Sequence, residues 1–270
     1  MNGRQKFQGF SSDFARSEVE SEYPGLWRGL EVIYSPSLGV QGHFLIDYKQ
    51  KLNSVFDSNS PVWDYGVHNG NSILFDGSTD CTLTTPERNW GFSVNCSICA
   101  WIKTSSGPIA VCSISHDEVV DEALLYVRTD GKAAIYNHNS PNNYSSLESN
   151  TSTNIDEWFF VVGCINGDYS SLKIFINGKE ESGTFSEVGA PSNISDSTAR
   201  TLKIGGRNFF SANENFIGNI GDVLVYSRVL TPQEVMQLYL GKTPLVKANR
   251  RNRVSVPPAV SEFCFGQIID

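Results

Sequence analysis

Trp158-Phe159-Phe160-Val161-Val162-Gly163-Cys164-Ile165-Asn166-Gly167-Asp168-Tyr169-Ser170-Ser171-Leu172-Lys173-Ile174-Phe175-Ile176-Asn177-Gly178-Lys179 is the stretch whose reading decides the fold. Trp158 to Ile165 is an unbroken apolar run rich in Val, Ile and Phe. It is short for a helix and suits a strand covered on both faces. Asn166-Gly167-Asp168 is a turn signal, because Asn and Gly tolerate positive φ. Leu172, Ile174 and Ile176 then alternate with Lys173 and Phe175, the period of a strand with one buried face. Asn177-Gly178 ends it. A hairpin feeding a second hairpin sets the class as all-β. Phe159 and Phe160 point to opposite faces, so the strand needs two covers. The second is expected from residues 20 to 65 or from a neighbouring subunit.

Strands continue outward at regular spacing. Ile73-Leu74-Phe75 ends at Asp76-Gly77, and Thr82-Leu83-Thr84 ends at Pro86. Cys96 to Lys103 alternates, with Ile98, Ala100 and Ile102 on one face and Cys99 and Trp101 on the other. Ile109 to Ile114, Ala123 to Arg128 and Lys132 to Tyr136 follow, the last two joined across Asp130-Gly131. Thr201 to Ile204 and Asn219 to Tyr226 complete the series. This spacing predicts a two-sheet antiparallel jelly-roll sandwich. Glu31 to Ser37 and Phe44 to Tyr48 read as earlier strands. Residues 49 to 71 read as loop, and Trp63 and Tyr65 within them are candidate glycan contacts, each with an apolar body and a polar tip. One short C-terminal helix is predicted: Thr231 as N-cap, Pro232 in the first turn, Glu234 closing a capping box and Gly241 as the stop. The chain divides into an N-terminal arm and lead-in (1–39), the jelly roll (40–241) and a C-terminal basic arm (242–270).

A chain of 270 residues buries a core without staples. Its net charge of −8 argues against nucleic acid as a partner of the body. The basic residues Lys242, Lys247, Arg250, Arg251 and Arg253 are gathered in the C-terminal arm. Phe7, Phe10 and Phe14 recur at spacings of three and four in the N-terminal arm. Neither arm can form a core alone, so both sets are candidate partner-docking residues. No apolar run of membrane-spanning length and no apolar leader stretch occurs, so synthesis and folding in a cytoplasm, away from membranes, are expected. Cys96 and Cys99 form a lone C-x-x-C whose members fall on opposite strand faces. That suits buried free thiols rather than a metal site.

Catalysis is not expected. Glycosidases need two carboxyl groups about 5–5.5 Å or 6.5–9.5 Å apart. In the densest acidic stretch, Asp117 to Glu122, acids four apart on one extended face stand about 13 Å apart. The four histidines show no metal-ligand spacing, and no nucleophile elbow or phosphate loop is present.

The landmarks carry a family likeness. Ile73 to Asp80, Ile98 to Lys103, Glu157-Trp158, Ile174 to Lys179 and Leu202 to Gly206 resemble, in order and spacing, concanavalin A-like and laminin G-like domains. Phe216 to Tyr226 with Leu230 to Glu234 is similar to the end of pentraxins. The resemblance covers roughly residues 40 to 241. It implies a jelly roll that binds glycans or proteins, often with calcium. It also implies where calcium acids would lie. Asp121-Glu122 before Leu124-Leu125-Tyr126 matches a pentraxin acidic pair. The place where further acids follow holds Gly205-Gly206-Arg207-Asn208, and only Glu214 is near in sequence. Ca²⁺ takes six to eight oxygens, so no cofactor is expected. If a metal binds, its candidates are Asp121, Glu122 and Glu214. Leu26-Trp27-Arg28-Gly29-Leu30 with Ser35 to Gly39 resembles a lead-in found in bacteriophage and environmental bacterial proteins. The expected function is a non-enzymatic structural and binding protein of a phage virion surface, a capsid decoration or fibre-type protein. Its partners would be other virion subunits and host-surface glycans. The alternative is a free-standing bacterial lectin.

Overall fold

The structure, a computed structural model, describes residues 24–241 except 37–43, 48–52, 57–61, 68–69, 79–82, 86, 88–94, 105–106, 108, 116–120, 141, 154–155, 167, 190–198 and 208–213. Residues 1–23 of the N-terminal segment and the whole C-terminal arm lie outside the described residues. The chain forms two antiparallel sheets. The first runs β14 (Lys179–Glu181), β13 (Asp168–Ile176), β12 (Phe159–Asn166), β7 (Asn95–Thr104), β17 (Ile217–Tyr226), β5 (Asn71–Asp76) and β4 (Val62–Tyr65), with β1 (Leu30–Tyr34) also paired to β17. The second runs β15 (Gly183–Val188), β11 (Asn143–Ser152), β10 (Lys132–Ser140), β9 (Asp121–Val127), β8 (Ile109–Ser115), β16 (Thr201–Ile204), β6 (Leu83–Thr84), β3 (Asn53–Phe56) and β2 (Phe44–Ile46). One helix, α1 (Pro232–Tyr239), follows β17. Among the described residues, no helix is long and apolar enough to cross a membrane.

The central hairpin forms as the sequence predicts. Val161 pairs with Ile176 and Ile165 with Leu172. Asn177 and Gly178 sit at φ 50° and 83° and make the turn that follows. The Asn177 side chain also accepts a 2.9 Å hydrogen bond from the Phe160 N–H, which fixes the turn against β12. Gly163 sets how closely the sheets approach: a Cβ there would meet Ile135 of the opposite sheet at 2.7 Å. Such an overlap forces strain or backbone shift.

Two strands, β3 and β4, lie within the stretch read as loop. Two more, β11 and β15, occupy stretches in which the sequence predicts no element. β11 reads Asn-Tyr-Ser-Ser-Leu-Glu-Ser-Asn-Thr-Ser and has a single aliphatic residue. Ladders to β10 on one side and β15 on the other hold it. Pairing, not an apolar pattern, makes it a strand.

Two cores lie on either side of the first sheet. Between the sheets, Ile98, Ala100, Ile102, Phe159, Val161 and Ile174 meet residues such as Val111, Leu125, Ile135 and Leu202. On the outer face of the first sheet, Cys99, Trp101, Phe160, Phe175 and Tyr226 are covered by Leu26, Trp27, Leu30 and Ile33 and by Val235 and Leu238 of α1. The second cover for β12 thus comes from within residues 20 to 65 and from the helix, without a neighbouring subunit. The lead-in that the sequence assigns to the N-terminal arm is part of the sandwich. Arg228 fastens it there. Its guanidinium donates to the carbonyls of Gly25 (2.8 Å) and Arg28 (2.6 Å) and to both carboxylate oxygens of Glu234 (2.7 and 2.8 Å). Burial opposes ionisation of Glu234, but hydrogen bonds from Arg228 and Thr231 outweigh it and hold the carboxyl below its ordinary pKa. The clamp is intact at neutral pH and is lost as pH falls through that lowered value. The predicted capping box of α1 is complete.

Cys96 and Cys99 fall in opposite cores, as their spacing requires. Burial pushes the thiols of Cys96, Cys99 and Cys164 up, that of Cys164 to about 11. Only the thiolate reacts. The four described cysteines, which include Cys112, are therefore expected to resist alkylation at pH 8 in the native protein and to react together on unfolding, as counted by intact mass. Fast labelling of any of these four in the folded chain would contradict the packing.

Candidate functional site

The two outer faces differ in what covers them. The first is sealed by the lead-in and α1. Over the second, no described helix or strand lies. There β9, β10 and β11 gather aromatic side chains by register. Leu125, Ile135 and Val127 point inward, so Tyr126, Tyr136 and His138 point outward. Tyr144 of β11 pairs with His138 and joins them. The ring centroids of Tyr126 and Tyr136 are 6.0 Å apart, edge to face. Tyr136 and His138 stack at 5.5 Å with 11° between planes, and Tyr144 lies 5.1 Å from His138 and 6.0 Å from Tyr136.

Two arginine–carboxylate pairs frame the cluster. Arg128 donates to Glu148 across the β10–β11 side, and Arg207 donates to Glu214 near Tyr126. All four side chains keep some exposure. Burial raises the phenol pKa of Tyr126 and of Tyr136, and the Glu214 and Glu148 carboxylates respectively raise it further. Both phenols therefore stay protonated across the physiological range, each able to donate and accept one hydrogen bond. Aromatic rings, hydroxyls and guanidinium–carboxylate forks on one face suit a polyhydroxylated ring: apolar C–H faces pack on the rings, and hydroxyls meet the polar rim.

The residues singled out from sequence are dispersed. Phe7, Phe10, Phe14, Arg250, Arg251 and Arg253 lie outside the described residues. Trp63 packs half-buried against the core, whereas Tyr65 is 87 % exposed. Both stand on β4, on the sheet that does not carry the aromatic cluster. Asp121 opens β9. Glu122, read from sequence as a solvated loop residue and candidate calcium ligand, is buried and ion-paired with the fully buried Arg200. Glu122 lies in β9 with both oxygens engaged by a buried guanidinium, and the solvated-loop reading is corrected. Glu214 sits at the rim of the aromatic face, engaged by Arg207. Among the described residues, no group of three His, Cys, Asp or Glu is gathered as a metal would require. Sequence reasoning missed Tyr126, Tyr136, His138, Tyr144, Arg128 and Glu148 as a unit. The Asp130-Gly131 hairpin, combined with strand alternation, could have put Tyr126 and Tyr136 on one face. Nothing in the sequence marked β11, which brings Tyr144 and Glu148.

The profile of the concanavalin A-like lectin/glucanases superfamily matches residues 75–236. No curated protein matches the sequence. Among solved structures, domain 4 of AbnA, an extracellular GH43 arabinanase from Geobacillus stearothermophilus solved with arabinotriose, aligns at TM-score 0.56 and 15 % identity, covering 78 % of this chain and 98 % of that one. The receptor-binding domain of botulinum neurotoxin type G aligns at 0.56 and 16 %, covering 79 % of this chain and 51 % of that one. The ligand-binding domain of serotype D, solved with N-acetylneuraminic acid, aligns at 0.52 and 18 %, with the same coverage. This chain spans about half the length of the toxin domains. At these identities the structural likeness is one of fold. With the profile covering more than half of its length, the chain belongs to the concanavalin A-like lectin/glucanases superfamily.

Proposed function

We propose that this chain is a non-enzymatic carbohydrate-binding module and that the Tyr126–Tyr136–His138–Tyr144 face holds the glycan. The observation that carries this reading is that cluster, in which half-buried Tyr136, His138 and Tyr144 surround a buried Tyr126, on the sheet face over which no described helix or strand lies. The arabinanase and neurotoxin domains solved with sugars support it as examples of what the fold does elsewhere. Catalysis is disfavoured because both carboxylates of the face, Glu148 and Glu214, are spent on arginines. We read the setting as the surface of a phage virion, where the arms bearing Phe7, Phe10, Phe14, Arg250, Arg251 and Arg253 dock on neighbouring subunits and the tyrosine face meets host glycans. The phage-like lead-in, Leu26 to Leu30 with Ser35 to Gly39, supports that setting.

The test is a glycan array followed by calorimetry on the best ligand. Tyr136→Ala and Tyr144→Ala should each weaken binding by at least about tenfold, while Tyr65→Ala changes nothing. Equal affinity of both site variants, or release of reducing ends from the bound polysaccharide, would refute the reading.

A further inference from the structure

Among the described residues, β15 is an edge of the second sheet with no strand paired on its outer side. All six of its residues are exposed, including Phe185 and Val188. Its register against β11 runs from Ser149 opposite Gly183 to Tyr144 opposite Val188, and the Asn150 N–H donates to the Ser182 carbonyl at 3.0 Å. Opposed residues in an antiparallel ladder alternate between pairs that exchange hydrogen bonds and pairs that do not. The Asn150–Ser182 bond fixes that phase. Thr184, Ser186 and Val188 bond to β11, and the N–H and C=O groups of Gly183, Phe185 and Glu187 point off the edge.

Sheet edges are ordinarily guarded by charge, proline or shortness. The edge strand β14 of the first sheet follows that rule: three residues, Lys179-Glu180-Glu181, all charged. β15 is twice as long and has one charge, Glu187. A row of outward backbone groups calls for another extended strand.

We propose that the strand is β15 of a second copy, paired antiparallel about a two-fold axis through Phe185. In that register Phe185 faces its own copy, and Gly183 faces Glu187 in both directions. The three outward residues of each chain exchange bonds with the three of the other. No like charges stand directly opposite. Phe185 pairs with Leu147, which packs on the core between the sheets. Two facing Phe185 rings therefore close over the lip of both cores.

The axis stands perpendicular to the sheet, so both tyrosine faces end on the same side of one continuous sheet. At about 4.8 Å per strand, β10 lies two and a half spacings from the axis, and the two Tyr136 sites stand roughly 24 Å apart. Such a pair suits a repeating polysaccharide, which gains avidity by spanning both. This consequence rests on the glycan reading of the face; the pairing does not.

Sedimentation of the full-length chain without glycan tests it. The expected result is a dimer at high micromolar concentration that dissociates on dilution. Phe185→Pro removes an N–H that points off the edge, so β11 keeps its ladder while the partner is blocked. It should be monomeric with wild-type thermal unfolding. Phe185→Cys, in a chain with Cys81 and Cys264 changed to serine, should oxidise to a disulfide-linked dimer. The bond-exchanging pair on the axis brings the two Cα atoms to about 5.5 Å. Thr184→Cys should not cross-link. A wild-type chain that stays monomeric, a Phe185→Pro variant that still dimerises, or equal cross-linking at position 184 would overturn the proposal. If Phe185→Pro does not fold, the two cysteine variants decide. A dimer that binds no glycan would sink the reading of the face and leave the interface standing.

Discussion

Arg200→Met is expected to lower stability by about 3–5 kcal/mol, because it strands a buried carboxylate without its partner. Arg200 is fully buried, just ahead of β16, and Glu122 stands second in β9. The guanidinium engages both oxygens of Glu122, Nη2 reaching Oε1 at 3.3 Å. Both groups act electrostatically on Cys96, which lies in the core between the sheets. Neither charge has water to turn to if the other is removed. For a domain of this size the loss corresponds to a fall in melting temperature of roughly 6–20 °C. The decisive comparison is the double variant Arg200→Met/Glu122→Leu. If the cost comes from an uncompensated charge, removing the second charge should restore most of the stability, since well-packed apolar replacements of buried pairs are often neutral. A double variant as unstable as Arg200→Met would show that the lost packing of the long arginine side chain dominates instead.

The same pair shows where the sequence stops being legible. Asp121-Glu122 reads as an acidic pair before an apolar strand, and local chemistry offers two uses for it, a solvated turn or a cation. Its partner is 78 residues away, and no periodicity announces such a contact. By contrast the hairpin from Trp158 to Lys179 is legible because everything it needs is local: an apolar run, Asn-Gly turns and a period of two. Phe159 and Phe160 even declare that two covers exist, though not that α1 is one of them. The tyrosine face falls between these cases. Tyr126 and Tyr136 sit on strands whose alternation is visible. Tyr144 and Glu148 sit on β11, where serines fill both faces and only the ladders to β10 and β15 define the strand. A site assembled across three strands is readable only as far as its least patterned strand.

A chain that begins at residue 40 should not fold, whereas one that begins at residue 23 should. The longer truncation removes Leu26, Trp27, Leu30, Val32, Ile33 and Tyr34, each at most 6 % exposed. Burying a large apolar side chain contributes about 1.5–3 kcal/mol, so six account for roughly 9–18 kcal/mol. The whole stability of a domain is about 5–15 kcal/mol. The loss also strips β1 from Val223–Tyr226, leaving that half of β17 paired on one side only. It further deprives Arg228 of the Gly25 and Arg28 carbonyls. Phe160, Phe175 and Tyr226 would then keep α1 but lose the Leu26–Ile33 part of their cover on the outer side of the first sheet. Insoluble expression of the 40–270 chain is the expected result, with recovery of soluble protein when a peptide of residues 23–39 is co-expressed and re-forms β1 in trans. The 23–270 chain keeps every one of these contacts and should melt with the full-length protein. Soluble, cooperatively unfolding 40–270 protein without the peptide would mean that the outer core is dispensable and that the lead-in is an arm after all.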